Sequence, residues 1–257
     1  MSLGGHLKEF RKRFLWAALF IVAGTVAGWY LFQPVFAALQ QPIITVAKAQ
    51  HISATINFGT IGGAFDLRLQ VSAFVGVVVS SPFWLYQLWA FIVPALRRRE
   101  RLYTLGFLLT AIPLFLGGCY MAWWALPNFV QVMLSMTPPG SSNLINASEY
   151  MLFAVRILLV FGLSFVSPVV IVMLNFMGIL SAKAIIKGWR LAVVLAAFIG
   201  AVATPVTDPT SMFLLMAPIL LLYVLAIGVA WLHDRIVGRR RKRELQTYEI
   251  DTDVETT

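Results

Sequence analysis

Two carboxylates sit inside dense basic clusters: Glu9 in H-L-K-E-F-R-K-R and Glu100 in P-A-L-R-R-R-E-R. A carboxylate in that setting has two uses. It can pair with the arginines beside it, which on a solvated surface contributes only about 0–1 kcal/mol. Or it can offer both oxygens to a guanidinium arriving from outside, in the bidentate geometry that makes such contacts strong and oriented. On spacing alone the local pair is the default reading.

Other chemistry has few residues to carry it. The chain contains no G-x-x-x-x-G-K-[ST] phosphate loop, no H-E-x-x-H and no G-x-S-x-G elbow. Its 3 histidines, His6, His51 and His233, are scattered, and the single cysteine, Cys119, permits no internal disulfide. No metal-ligand spacing results, so no metal or cofactor is expected, and Cys119 reads as a small packing residue. The pattern argues against an enzyme; work done on a substrate must draw its energy from elsewhere.

The elements that hold the two carboxylates are membrane helices. Of 257 residues, 60% are hydrophobic and 13% aromatic, and the mean hydropathy of +0.82 exceeds what a soluble core and surface can use. A hydrocarbon layer about 30 Å thick needs about 20 apolar residues per helix. Six apolar stretches meet or approach that length, at roughly 14–33, 71–93, 102–126, 151–174, 189–203 and 211–232. The expected fold is therefore an all-α integral membrane domain over 1–233, followed by a tail, 234–257, that is basic and then acidic and is expected to be disordered.

The net charge of +9 is explained by where it falls. Lys8, Arg11, Lys12 and Arg13 precede span 1, and Arg97, Arg98, Arg99 and Arg101 join spans 2 and 3. Lys183, Lys187 and Arg190 join spans 4 and 5, while Arg235, Arg239, Arg240, Arg241, Lys242 and Arg243 follow span 6. These are 17 of the 20 basic residues, all on one side. By the positive-inside rule both termini are cytoplasmic, and nucleic acid is not needed to account for the charge. The apolar run from Phe14 to Phe32 exceeds the 7–15 residues of a signal core, so it reads as a retained span.

The external connections differ in length. The first, 33–70, is long enough for its own structure, with Pro34 and Pro42 flanking a short helix. The second runs from Pro127 to Asn146, where Asn146 and Glu149 have capping-box spacing. The third is A-T-P-V-T-D-P-T, with Asp208 and Pro209 opening span 6. The fifth span has about 15 residues, or roughly 22 Å of helix, so either the bilayer thins there or the loop dips into it. Pro82, Pro113, Pro168 and Pro218 lie inside spans and are expected to bend them, giving a concave bundle. The spacing Gly24 to Gly28 offers a close-approach helix face. Arg156 is the one charge well inside a span and reads as an arginine snorkelling outward.

Taken in order, these residues resemble the TatC family, the six-span receptor subunit of the twin-arginine protein translocase. The densest match is S-P-F-W-L-Y-Q-L-W-A-F-I-V-P-A-L-R-R-R-E-R, with Pro82, Tyr86, Gln87, Trp89, Phe91, Pro94, Leu96, Glu100 and Arg101 in the family's positions. Leu7, Glu9, Arg11 and Arg13 fit an amino-terminal L-x-E-L-R-x-R, with Phe10 in place of the second leucine. Pro42, Gly117, Pro127, Phe161, Gly162, Phe165, Pro168, Thr204, Pro205 and Asp208 fit later segments.

The resemblance implies that Glu9 and Glu100 help bind the arginine pair of a signal peptide at the cytoplasmic face. Arg11, Arg13 and Arg101 belong to the same site, and Phe91, Pro94 and Leu96 shape its surface. Pro42, Gly117, Pro168 and Asp208 are implied to serve structure or partner contact. It further implies a glove-like bundle in the bacterial plasma membrane, single-span partners of the TatA or TatB type, an oligomeric complex in contact with lipid, and export of folded proteins driven by the proton-motive force.

The chain departs from the family where Val166 and Met212 replace a glutamate and a glutamine of a polar site that in relatives receives a partner helix, and where Val224 stands for a common glutamate. Losing both polar members together avoids an orphaned buried group, so the partner helix is expected to dock there through apolar packing. The competing expectation is a small secondary transporter for a solute, which would need a polar cavity around Arg156.

Overall fold

The structure, a computed structural model, describes residues 3–49, 54–92, 101–135, 143–203 and 209–255. Nine helices and two short strands occupy them: α1 (Leu3–Tyr30), α2 (Phe32–Ala49), β1 (Ala54–Asn57), α3 (Gly63–Val79), α4 (Ser81–Ile92), α5 (Arg101–Ser135), β2 (Asn143–Asn146), α6 (Ala147–Phe176), α7 (Ala182–Lys187), α8 (Trp189–Ala203) and α9 (Pro209–Glu255). Four helices are long and apolar enough to cross a membrane, and a fifth crossing is formed if α3 and α4 count as one bent pair; α8 is a shorter apolar helix.

The second crossing breaks by 63° between Val79 and Ser81. Pro82 sits in the first turn of α4, where its missing N–H costs nothing, while the N–H groups of Phe83 and Trp84 both turn back to the Ser80 carbonyl. The bend expected from Pro82 is thus placed just before it, and α3 starts at Gly63 rather than near 71.

Pro34 and Pro42 do not flank a helix; both lie within α2. A proline at 42 deprives the Ala38 carbonyl of its helical donor. Trp123 of α5 fills that place, its indole N–H donating to Ala38 O at 3.4 Å, and Tyr150 of α6 donates to the next carbonyl, Leu39 O, at 2.9 Å. The same repair occurs inside α6, where the Ser167 hydroxyl donates at 2.8 Å to Ser164 O, the carbonyl that Pro168 leaves open.

α1 packs on α3 backbone to backbone. A Cβ on Gly24 would lie 2.7 Å from Gly76 O, so the Gly24–Gly28 face is used within the chain. α5 and α6 approach as closely, with a Cβ on Gly118 placed 2.7 Å from Phe161 O. Cys119 packs there and donates its S–H to Leu158 O at 3.4 Å.

Two large apolar clusters fill the bundle, with a smaller one around Ala182, Ile185 and Ala230. One joins α2, α3, α5 and α6 around Leu67, Phe129, Met151 and Ile157. The other joins α4, α5 and α6 around Leu85, Trp89, Phe107, Phe115 and Val166. β1 and β2 pair in parallel with Ala54 opposite Asn143, tying the segment after α2 to the one before α6. Asn146 then caps α6 as its position predicts, accepting from Ser148 N–H at 2.9 Å.

The segment ahead of the short fifth stretch is helical too. Gly188 N–H bonds to Ala184 O and Ala192 N–H to Gly188 O, so α7 leads almost without interruption into α8. Asp234 of α9 accepts from Ala182 N–H at 2.7 Å, an unsatisfied donor of α7's first turn, and from Asn175 Nδ2 at 2.9 Å. α9 itself continues helical to Glu255 where the sequence reading expects disorder; after Gly238 the tail has neither glycine nor proline to end it.

Candidate functional site

The described half of the candidate site forms where the amino-terminal turns of α1 lie against α4. On α1, positions 8, 9, 12, 13 and 16 share a face at helical spacing. With Tyr86 and Gln87 of α4 they line an open cavity of about 500 Å³. α4 is held there by Trp89, fully buried, stacked on Phe107 of α5 with ring centroids 4.4 Å apart and donating to Thr104 Oγ1 at 3.2 Å.

Glu9 is half-buried beside Arg13, whose Nε and Nη2 donate to it at 3.1 and 2.7 Å. Both bonds fall on Oε1, leaving Oε2 without a hydrogen-bond partner among the described residues. The side chains are 24% and 26% exposed, so the pair is partly solvated and of the kind that contributes little to stability. Lys8 and Lys12 stand on the same wall.

Next to this charged cavity lies an apolar one of about 180 Å³, lined by Phe10, Phe14 and Ile21 of α1 and Trp84, Leu88 and Phe91 of α4. Phe10 meets Phe91 edge on, and Phe20 stacks on Phe83 at 4.6 Å. A bound chain would therefore meet a carboxylate first and an aromatic shelf beside it. Arg13 and Gln87 border both cavities.

Of the residues singled out from sequence, Glu9, Arg13 and Phe91 come together here. Arg11 is exposed on α1 without contributing to either cavity wall. Arg101 opens α5; Pro94, Leu96 and Glu100 lie outside the described residues, as does Asp208. Pro42 and Pro168 are buried, whereas Gly117 has open space where a Cβ would stand. Val166 is 3% exposed and packed among Leu85, Phe107 and Phe115. Met212, by contrast, is half-buried against Gly200. Arg156 is exposed on α6, and the cavities described here are lined by other residues.

Tyr86, Gln87, Lys12 and Trp16 were not among the expected site residues, although Tyr86 and Gln87 stand in the densest stretch of the resemblance. The signal that could have found them is spacing: Lys12 and Trp16 follow Glu9 by three and seven residues, one helix face.

Residues 5–218 match the family described as TatC, Sec-independent protein translocase protein. The chain is 46% identical over 240 residues to the Sec-independent protein translocase protein TatC of Xylanimonas cellulosilytica, covering 93% of this chain and 87% of that one. Against the protein of the same name from Rothia mucilaginosa it is 37% identical, covering 95% and 83%. The fold superposes on a crystal structure of the twin-arginine translocase receptor TatC with a TM-score of 0.77, at 26% identity over 88% of this chain and 98% of that one.

Proposed function

Because the chain belongs to the TatC family, and is thereby a multi-pass membrane component and receptor of the Sec-independent, twin-arginine protein translocase, we propose that Glu9 and Glu100 accept the paired arginines of a signal peptide. The observation that carries the proposal is Glu9 itself, a carboxylate with one oxygen uncommitted, on an open cavity that adjoins an aromatic shelf.

An incoming guanidinium takes Oε2 directly or displaces Arg13 from Oε1. Displacement costs little, because a partly solvated pair is worth about 0–1 kcal/mol, and the released Arg13 turns to water or lipid phosphate. The connection bearing Glu100 leaves α4 at Ile92 and rejoins at Arg101 of α5, so the second acceptor is tethered to α4, which carries one side of the shelf. Phe91, Pro94 and Leu96 shape that shelf, and Arg11 and Arg101 hold the face against anionic lipid. Apolar residues of the signal peptide lie along Phe10 and Phe14.

In this reading the chain makes six crossings with both termini in the cytoplasm of a bacterial cell, the helix beyond 233 extending into the cytoplasm as the tail. It catalyses no reaction. It works in an oligomeric complex with single-span TatA- or TatB-type subunits, and folded cargo is exported at the expense of the proton-motive force. Pro42, Gly117, Pro168 and Asp208 serve structure or partner contact, and the partner helix meets the region of Val166 and Met212 through apolar packing. Arg156, exposed on α6, supports a snorkelling role rather than a solute site.

The test is crosslinking of a twin-arginine signal peptide to the purified protein in membranes, titrated against a twin-lysine peptide. Charge-assisted hydrogen bonds contribute about 1.5–3 kcal/mol, so Glu9→Gln and Glu100→Gln should each weaken binding roughly 10- to 100-fold while the thermal melt stays put. Unchanged crosslinking in a folded Glu9→Gln variant would reject the role of Glu9.

A further inference from the structure

Arg13 holds Glu9 with the same chemical group that a twin-arginine peptide would bring to it. Its Nε and Nη2 both donate to Oε1, at 3.1 and 2.7 Å. The two residues stand four apart on α1 with the carboxylate first, the favoured order for a pair on one helix face. Two N–H groups converging on one oxygen fall short of the fork, in which a guanidinium lays parallel bonds on both oxygens. An arginine rooted one turn along the same helix takes the one oxygen. A free arginine arriving through the open cavity is not bound by that tether and can take both.

The position of Arg13 matters as much as its bonds. It lines the charged cavity and the apolar one beside it, so a peptide that reaches from Glu9 to the aromatic shelf has to pass it. Lys8 and Lys12 are exposed on the charged wall, yet among the described residues Arg13 is the cation paired with Glu9.

We propose that Arg13 is a resident competitor for the signal-peptide site: it closes Glu9 in the empty receptor, yields to an arginine that can span both oxygens, and retakes Oε1 when the peptide leaves. This rests on Glu9 as the acceptor and adds a regulation of that same site. A receptor that passes its cargo on needs binding that reverses, and a built-in arginine supplies the reversal without a further factor. The competition is mild, since a pair of this exposure shifts an equilibrium by about two- to fivefold.

The competition also falls unequally on ligands. Full engagement of a guanidinium requires Oε1, and so requires Arg13 to leave. A lysine ammonium makes a point contact and can rest on Oε2 beside the undisturbed pair. Removing Arg13 therefore helps arginine more than lysine, whereas removing a positive charge from the wall by itself helps both alike.

The experiment is titration of a labelled twin-arginine signal peptide, and separately of its twin-lysine counterpart, against the full-length protein in nanodiscs. Arg13→Gln should tighten twin-arginine binding about two- to fivefold and twin-lysine binding by less. Lys12→Gln removes the same charge from the same wall and leaves the Glu9 pair intact, so it should move the two peptides equally. In a Glu9→Gln background, Arg13→Gln should do no more than Lys12→Gln does. Arg13→Lys keeps the charge, loses the two-donor hold and should also tighten twin-arginine binding, which decides the matter if Arg13→Gln fails to fold. Unchanged or weaker twin-arginine binding in the folded variants, an equal gain for both peptides, or the same gain with Glu9 replaced overturns the proposal. If Glu9→Gln itself binds like wild type, the acceptor reading falls and the competitor with it. If Glu9→Gln binds weakly and Arg13→Gln brings no gain, only the competitor falls.

Discussion

Phe10 of α1 and Phe91 of α4 meet edge to face with ring centroids 5.1 Å apart. The contact joins the helix that carries Glu9 to the one that leads toward Glu100. Such a pair is worth about 0.5–1.5 kcal/mol beyond its burial. Phe10→Ala should therefore lower the melt in detergent by a few degrees and weaken signal-peptide binding several-fold, with Phe10→Leu in between. Titration of labelled peptide into the two variants checks both effects, and peptide affinity equal to wild type would show the shelf to be idle.

The repair of Pro42 by Trp123 predicts a thermodynamic coupling. Trp123→Phe removes the donor to Ala38 O and should cost about 0.5–1.5 kcal/mol, the usual net worth of one hydrogen bond. In a Pro42→Ala background the residue at 42 regains an N–H for that carbonyl, so the same tryptophan change should cost nearly nothing. Denaturation of the four proteins of the cycle measures the difference; additive effects would mean the indole is not the substitute donor.

Glycines 76 and 117 should respond oppositely to alanine. A Cβ on Gly76 would stand 2.5 Å from Thr25 N, so Gly76→Ala must push α1 from α3 and should cost about 1–3 kcal/mol. Gly117 faces open space, and Gly117→Ala should stabilise α5 by up to about 1 kcal/mol. Copurification of single-span subunits with folded Gly117→Ala then tests that position as a partner contact: loss of the subunits is expected if they pack there.

Val166→Glu should fail to improve function with native partners. Its side chain would enter the cluster of Leu85, Phe107 and Phe115 with no cation nearby, and an unpaired buried charge is strongly disfavoured. Reduced yield of folded protein in membranes is the expected outcome, whereas a gain in export would show that the position faces a polar partner.

The pattern of apolar runs and basic clusters was enough to read an all-α membrane protein, because hydropathy and charge act locally along the chain; the family came from the resemblance of its residue strings. Pro82 marked a bend for the same reason. Three things needed the third dimension. Pro42 could be seen to break a hydrogen bond, yet the replacement donor to Ala38 O lies 85 residues from Ala38, on Trp123. Gly24 offered a smooth face whose partner, Gly76, no spacing within α1 could name. Tyr86 and Gln87 read as part of the string that resembles the family, and only the packing of α1 on α4 turns them into a wall. Glu9 and Arg13, four apart on one helix, were close enough in sequence for their pairing to be anticipated.

The parallel pairing of Ala54–Asn57 with Asn143–Asn146 joins segments 89 positions apart, and it sets an order of events during biosynthesis. The first strand is synthesised long before its mate, which follows only after α5. Until then the strand has nothing to pair with, since a non-local contact forms only after its loop has been spent. Resistance of the early loop to externally added protease should thus appear late and abruptly, once ribosomes have passed the codon for Asn146.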